Sequence, residues 1–133
     1  CSFTHNSQYQ SQNIRIVGTS WYGDVAVLEL LEPIDNLNTL TFADNIPKIG
    51  ESIITIGNAL GRDHNSISLG LVRDNDFYIN KAFPVISISN AIYGGNSGGP
   101  VLNTSGKVVS LINAGFGDYE AYSWGINTLL LKK

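Results

Sequence analysis

The sequence predicts an all-β domain, a barrel or sandwich of short strands. Three observations carry that prediction. Apolar residues recur at period two in several segments. Turn-forming residues separate those segments at intervals of about 8–15 residues. Outside the last dozen residues, no stretch carries a 3.6-residue apolar period.

The elements follow in order. The opening "CSFTHNSQYQSQN" is polar and reads as a surface loop. "NIRIVGT" (13–19) alternates, and so does "DVAVLEL" (24–30), which Pro33 terminates. "ESIITIGNA" (51–59) is β-branched and follows the turn "PKIG". "SISLGLVR" (66–73) is a further strand, with Gly70 as a candidate bulge. "FPVISISN" (83–90) leads into a glycine loop. Beyond it, "GPVLN" (99–103) and "KVVSLINAG" (107–115) form a hairpin about "TSG". "AYSWGINTLLLKK" (121–133) starts strand-like and can finish as a short helix.

Composition narrows the function classes. With 133 residues, 43% of them hydrophobic and 14% charged, the chain is one globular domain or a piece of one. A net charge of −3, with scattered Lys and Arg, gives no footprint for nucleic acid. No apolar run approaches the ~20 residues that span a bilayer. No metal-ligand cluster, dinucleotide loop or phosphate loop is present, so no metal or cofactor is expected. One cysteine excludes an intrachain disulfide and favours a cytosolic or otherwise reducing compartment.

The chemistry concentrates in "AIYGGNSGGPVLN" (91–103). Acyl transfer needs an exposed hydroxyl, a base, and donors aimed at the developing oxyanion. Glycines flanking a serine let backbone N–H groups turn toward one point in conformations that side chains forbid. In "GGNSGGP" the N–H groups of Gly95 and Ser97 are the expected donors. Gly98 and Gly99 admit a substrate closely, and Pro100 fixes the entry to the next strand. The bland alternative is a glycine-rich hairpin, which explains the glycines but gives the serine no task.

"GNSGGP", together with the upstream "DVAVLEL", resembles the chymotrypsin-fold serine peptidases, most of all their HtrA-type and other disulfide-poor branches. "IGESIITIGNALG", "SGKVVSLINA" and "YSWGINTLLLKK" resemble further segments of that family in the same order, so the likeness extends over residues 14–133. It implies two Greek-key β-barrels, the first incomplete, and a peptidase acting on polypeptide substrates. It makes Ser97 the nucleophile, and Asp24 the acid that holds a histidine in the right tautomer. Without the serine motif, Asp24 would read as a solvated turn residue. Asn96 stands where digestive-type relatives carry an aspartate that pairs with a freed N-terminal amine, so activation by such an ion pair is not expected. The primary pocket is expected from Ser89, Asn90 and Ala91 and from Ile112, Asn113 and Ala114, the last three pairing with substrate as an added strand. No acid stands at its base, which favours a small or apolar side chain over Arg or Lys.

The family places its base before the aspartate, and the chain offers only His5 and His64. His64, in "GRDHNS", follows Asp24 and reads as an exposed turn residue. His5 lies in a polar stretch with no apolar strand ahead of it. Cys1 is compatible with the residue that follows the histidine in "AAHC"-type relatives. The expectation is the C-terminal portion of a peptidase domain (1–133), whose upstream strands and histidine lie outside this chain. Two other classes stay open: a non-catalytic binding or structural module that keeps the fold, and an α/β-hydrolase esterase. The esterase fits poorly, because its nucleophile precedes a helix whereas "GGPVLN" leads into a strand.

Overall fold

The computed structural model describes residues 2–5, 8–11, 13–20, 24–60, 63–79, 83–115 and 123–127. Among them are strands and no helix. The chain divides into two compact units, residues 1–39 and 40–133.

In the first unit, β1 (Ser2–His5) and β2 (Gln8–Ser11) form an antiparallel hairpin with Thr4 opposite Tyr9. This corrects the reading of the opening residues as a surface loop. Each four-residue strand carries a single aromatic, too few apolar positions for alternation to register. β3 (Ile14–Ser20) and β4 (Val25–Leu30) form a second antiparallel pair, with a register shift between Ile16 and Gly18. Arg15 and Glu29 are directly opposed, and the Arg15 Nε donates to the Glu29 Oε2 at 2.9 Å. Both side chains are exposed, so this pair contributes little, about 0–1 kcal/mol. Ile16, Val17, Val27 and Leu28 are exposed as well.

The second unit is a closed six-stranded barrel. Its strands are β5 (Ser52–Ala59), β6 (Asp63–Ile79), β7 (Phe83–Ile88), β8 (Pro100–Asn103), β9 (Val108–Gly115) and β10 (Ser123–Asn127). β5, β6 and β7 pair in succession, and β8 returns to pair with β5, a Greek-key path. β10 closes the ring by pairing with both β9 and β7. The predicted strands lie where expected, but β6 is much longer than 66–73 and takes in His64, which was read as a turn residue. The strand-like start of 121–133 is β10; the short helix after it falls outside the described residues.

The hairpin at "TSG" is built by Asn103. Its Oδ1 accepts from the N–H groups of Ser105 and Lys107, each at 3.0 Å, an Asx-type closure of the turn. Residues 41–43 run beside the start of β9, where the Ala43 N–H donates to the Val108 oxygen at 2.8 Å and the Val108 N–H to the Thr41 oxygen at 2.8 Å. Inside the barrel, Ile53, Val72, Ile86, Ile88, Val101, Val109 and Ile112 pack with Ala43 into one core.

β6 departs from the pattern that its composition suggests. Its apolar Ile67, Leu69 and Leu71 are exposed, while Ser66, Ser68 and Gly70 lie half-buried on the opposite face. Gly70 is not a bulge: it pairs in register with Ile53. A Cβ at Gly70 would overlap the carboxamide of Asn90, so close approach explains this glycine.

Core and surface positions are therefore expected to separate cleanly on truncation. Ile86→Ala, at a residue 0% exposed, should cost about 2–5 kcal/mol. Ile67→Ala, at 64% exposed, should stay within about 0.5 kcal/mol. Denaturant unfolding followed by circular dichroism measures both.

Candidate active site

Ser97 sits exposed in the loop between β7 and β8, and the barrel fixes the loop on either side of it. The Gly98 N–H donates to the Ile112 oxygen at 2.7 Å, and the Ile112 N–H donates back to the Gly99 oxygen at 2.9 Å. On the N-terminal side, the Leu60 N–H donates to the Gly94 oxygen at 2.6 Å. Two tight turns complete the loop: the Asn96 N–H donates to the Tyr93 oxygen at 3.1 Å, and the Gly99 N–H to the Asn96 oxygen at 2.9 Å.

Gly95 is required by this path. Its φ is +98°, and a Cβ would overlap the Asn58 carbonyl oxygen. Among the described residues, the N–H groups of Gly95 and Ser97 meet no acceptor. Asn96 turns the other way. Its side chain is 4% exposed, lies over Gly57, and brings its Oδ1 to 3.5 Å from the Ser66 hydroxyl. The loop thus buries an amide among polar neighbours of its own barrel.

The residues named for the pocket fall into two groups. Ser89 is exposed, Asn90 fully buried and Ala91 half-buried, and all three follow β7 directly. Ile112, Asn113 and Ala114 lie in β9. The added strand expected along 112–114 needs a correction at its first residue. Ile112 is 2% exposed and its backbone N–H and oxygen are engaged by Gly99 and Gly98. Its side chain belongs to the core. Asn113 is half-buried, and Ala114 pairs with Trp124 of β10.

Asp24 belongs to the first unit, where it is exposed and precedes β4 with φ +48°. A positive φ at Asp is tolerated in turns, since its short polar side chain suits the left-handed region. His5 ends β1, opposite Gln8. Cys1 lies outside the described residues. No cluster of three potential metal ligands occurs among the described residues. No helix there is long and apolar enough to cross a membrane.

A model of the trypsin-like peptidase domain matches residues 2–111. The chain belongs to this family. A probable periplasmic serine endoprotease, DegP-like, from Halomonas elongata is 36% identical over 121 residues, which cover 84% of this chain and 24% of that protein. The serine protease Do-like HtrA of Bacillus subtilis is 34% identical over 107 residues, covering 73% of this chain and 23% of its own. The chain therefore spans about a quarter of the length of these relatives. Among solved structures, the serine endoprotease from Yersinia pestis superposes with a TM-score of 0.81 over 98% of this chain and 44% of that one, at 23% identity. The HtrA-type protease AlgW with tripeptide gives 0.77 over 88% of this chain and 40% of that one, at 26% identity. The fold is the chymotrypsin-like one.

The relatives also correct the compartment. Several are named as periplasmic proteins, which overturns the cytosolic or reducing setting expected from one cysteine. Lack of a disulfide says that packing stabilises the barrel unaided; it says nothing of the redox state outside.

The loop geometry yields a test of its own. Gly95→Ala should leave the barrel's circular dichroism unchanged while costing about 1–3 kcal/mol in loop strain. Faster amide exchange at Asn96 and Gly99, without faster exchange at the core residues Ile53 of β5 and Val109 of β9, is the expected outcome.

Proposed function

We propose that this chain is the nucleophile-bearing part of a serine endopeptidase. One observation carries the reading: Ser97 is exposed on a loop whose path takes positive φ at both Gly95 (+98°) and Gly98 (+84°). In this reading the Ser97 hydroxyl attacks the carbonyl carbon of a peptide bond while a histidine takes its proton. The N–H groups of Gly95 and Ser97 hold the oxyanion of the tetrahedral intermediate. The imidazolium then protonates the departing amine, leaving an acyl-enzyme on Ser97. Water hydrolyses the acyl-enzyme through the same histidine acting as base. Asp24 orients that histidine and stabilises its charged form.

We assign the histidine to sequence outside these 133 residues. His64 stands on the wrong side of Asp24 in the family's order. His5 lacks the preceding apolar strand that the family places there. Substrate is a polypeptide, in line with the HtrA-type protease AlgW, whose structure carries a tripeptide. The pocket is formed by Ser89, Asn90 and Ala91 with Asn113 and Ala114, and an added substrate strand meets β9 beyond the engaged Ile112. The relatives' names favour a periplasmic setting.

A fluorophosphonate probe tests the assignment on protein that includes the upstream segment. Labelling should require Ser97 and should survive His5→Ala. The 133-residue chain alone should label far more slowly, because oxyanion donors without a base retain only roughly 10³–10⁴-fold over water. Equal labelling of both forms, abolished by His5→Ala, would place the base at His5 instead. Asp24→Asn should lower kcat by about 10⁴-fold in the complete enzyme. A folded complete protein that never labels is a binding module, not a peptidase.

A further inference from the structure

The inverted face of β6 bears on that same site. Four hydrogen bonds tie the 89–91 segment to β6. The Ala91 N–H donates to the Ser68 Oγ at 3.0 Å, and the Asn90 Nδ2 donates to the Ser68 oxygen at 2.8 Å. The Leu71 N–H donates to the Ser89 Oγ at 2.8 Å, and the Ser89 N–H to the Leu71 oxygen at 3.0 Å. Ser68 holds two of the three wall residues, Ala91 through its side chain and Asn90 through its backbone oxygen. Gly70, two positions on, clears the space into which the Asn90 carboxamide inserts.

We propose that Ser68 is a positioning residue for the primary pocket, setting the height of the Ser89–Ala91 wall and so the side chain the pocket accepts. The inference rests on the peptidase reading above. Its physical content is that the Ala91 N–H, in a half-buried segment, has the Ser68 hydroxyl as its acceptor. Removing that acceptor leaves the donor to find water or to shift the wall. The effect should be confined to the pocket. The neighbour that faces the nucleophile loop is Ser66, through Asn96, whereas Ser68 bonds to the wall.

The test uses the complete protein and the isosteric pair Ser68→Thr and Ser68→Val, which differ in the presence of the hydroxyl. Two peptide substrates differing only in a P1 Ala or Leu report selectivity, and fluorophosphonate labelling reports Ser97 independently of the pocket. Ser68→Thr should keep the parental ratio of kcat/KM for the two peptides. Ser68→Val should change that ratio about tenfold, the size of one buried donor left unpaired. The change should come mostly through KM, with labelling within about twofold of the parent. Faster amide exchange at Ala91 in Ser68→Val, but not in Ser68→Thr, supplies a readout that needs no turnover. Indistinguishable ratios and exchange in the two variants would overturn the proposal, as would parallel loss of labelling and of both peptidase activities. A parent protein that neither labels nor cleaves overturns the peptidase reading itself. A labelled parent with unaltered Val and Thr variants overturns only the role of Ser68.

Discussion

The reciprocal hydrogen bonds between Ile112 and the Gly98–Gly99 backbone are the constraint on which the site depends. Ile112 is a core residue of the barrel, so its backbone position is set by close packing, not by the loop. Clamping the loop to it transmits the rigidity of the core to the residue next to Ser97. The Leu60–Gly94 bond does the same from β5's end of the barrel. An exposed serine in a glycine-rich loop would otherwise sample many conformations, since glycines lose the most entropy on ordering. The barrel offsets that entropy with a few short backbone bonds and one buried amide.

This arrangement explains how the Ser97 loop is ordered without a disulfide and without an ion pair at Asn96. The buried Asn96 carboxamide has polar neighbours within its own barrel, in the Ser66 hydroxyl and the backbone around Gly57. A neutral amide in a partly polar niche avoids the large cost of burying a carboxylate that lacks a cation. The polar inner face of β6 is the counterpart of this choice. Ser66, Ser68 and Gly70 leave room and hydrogen-bonding groups where an apolar strand would have filled the space.

Much of the fold was legible because the signals were local. Alternation located β3 and β4, β-branched content after the turn "PKIG" located β5, and Thr104-Ser105-Gly106 announced the turn between β8 and β9. The β1–β2 hairpin was not legible, since strands such as "QYQS" gain their stability from cross-strand pairing and carry no apolar period. β6 was found but its facing was not, because the apolar Ile67, Leu69 and Leu71 suggest the buried side. Only the distant Asn90 and Asn96, which need polar and small neighbours, reverse that choice. At the site, the need for glycine at position 95 could be read from the motif. The engagement of Ile112 could not, because it arises from two backbone groups far apart in sequence that meet only when β8 and β9 pair. Asp24 and Ser97 were nameable only as members of a motif pair, since an exposed turn aspartate has no distinctive local pattern.

The ring closure by β10 has a consequence for how the chain acquires this structure. β5, β6 and β7 join through neighbours in sequence, yet β7 gains its second partner only from residues 123–127. During vectorial synthesis, β7 and β9 therefore emerge as bare edges and stay so until residues 123–127 leave the ribosome. Such edges are templates for mispairing with other chains. Late, non-local closure also slows folding, because the loop entropy must be lost before the final contacts form. The barrel that holds Ser97 rigid is thus exposed to aggregation for longest at β7, which leads into its loop, and at β9, which clamps it.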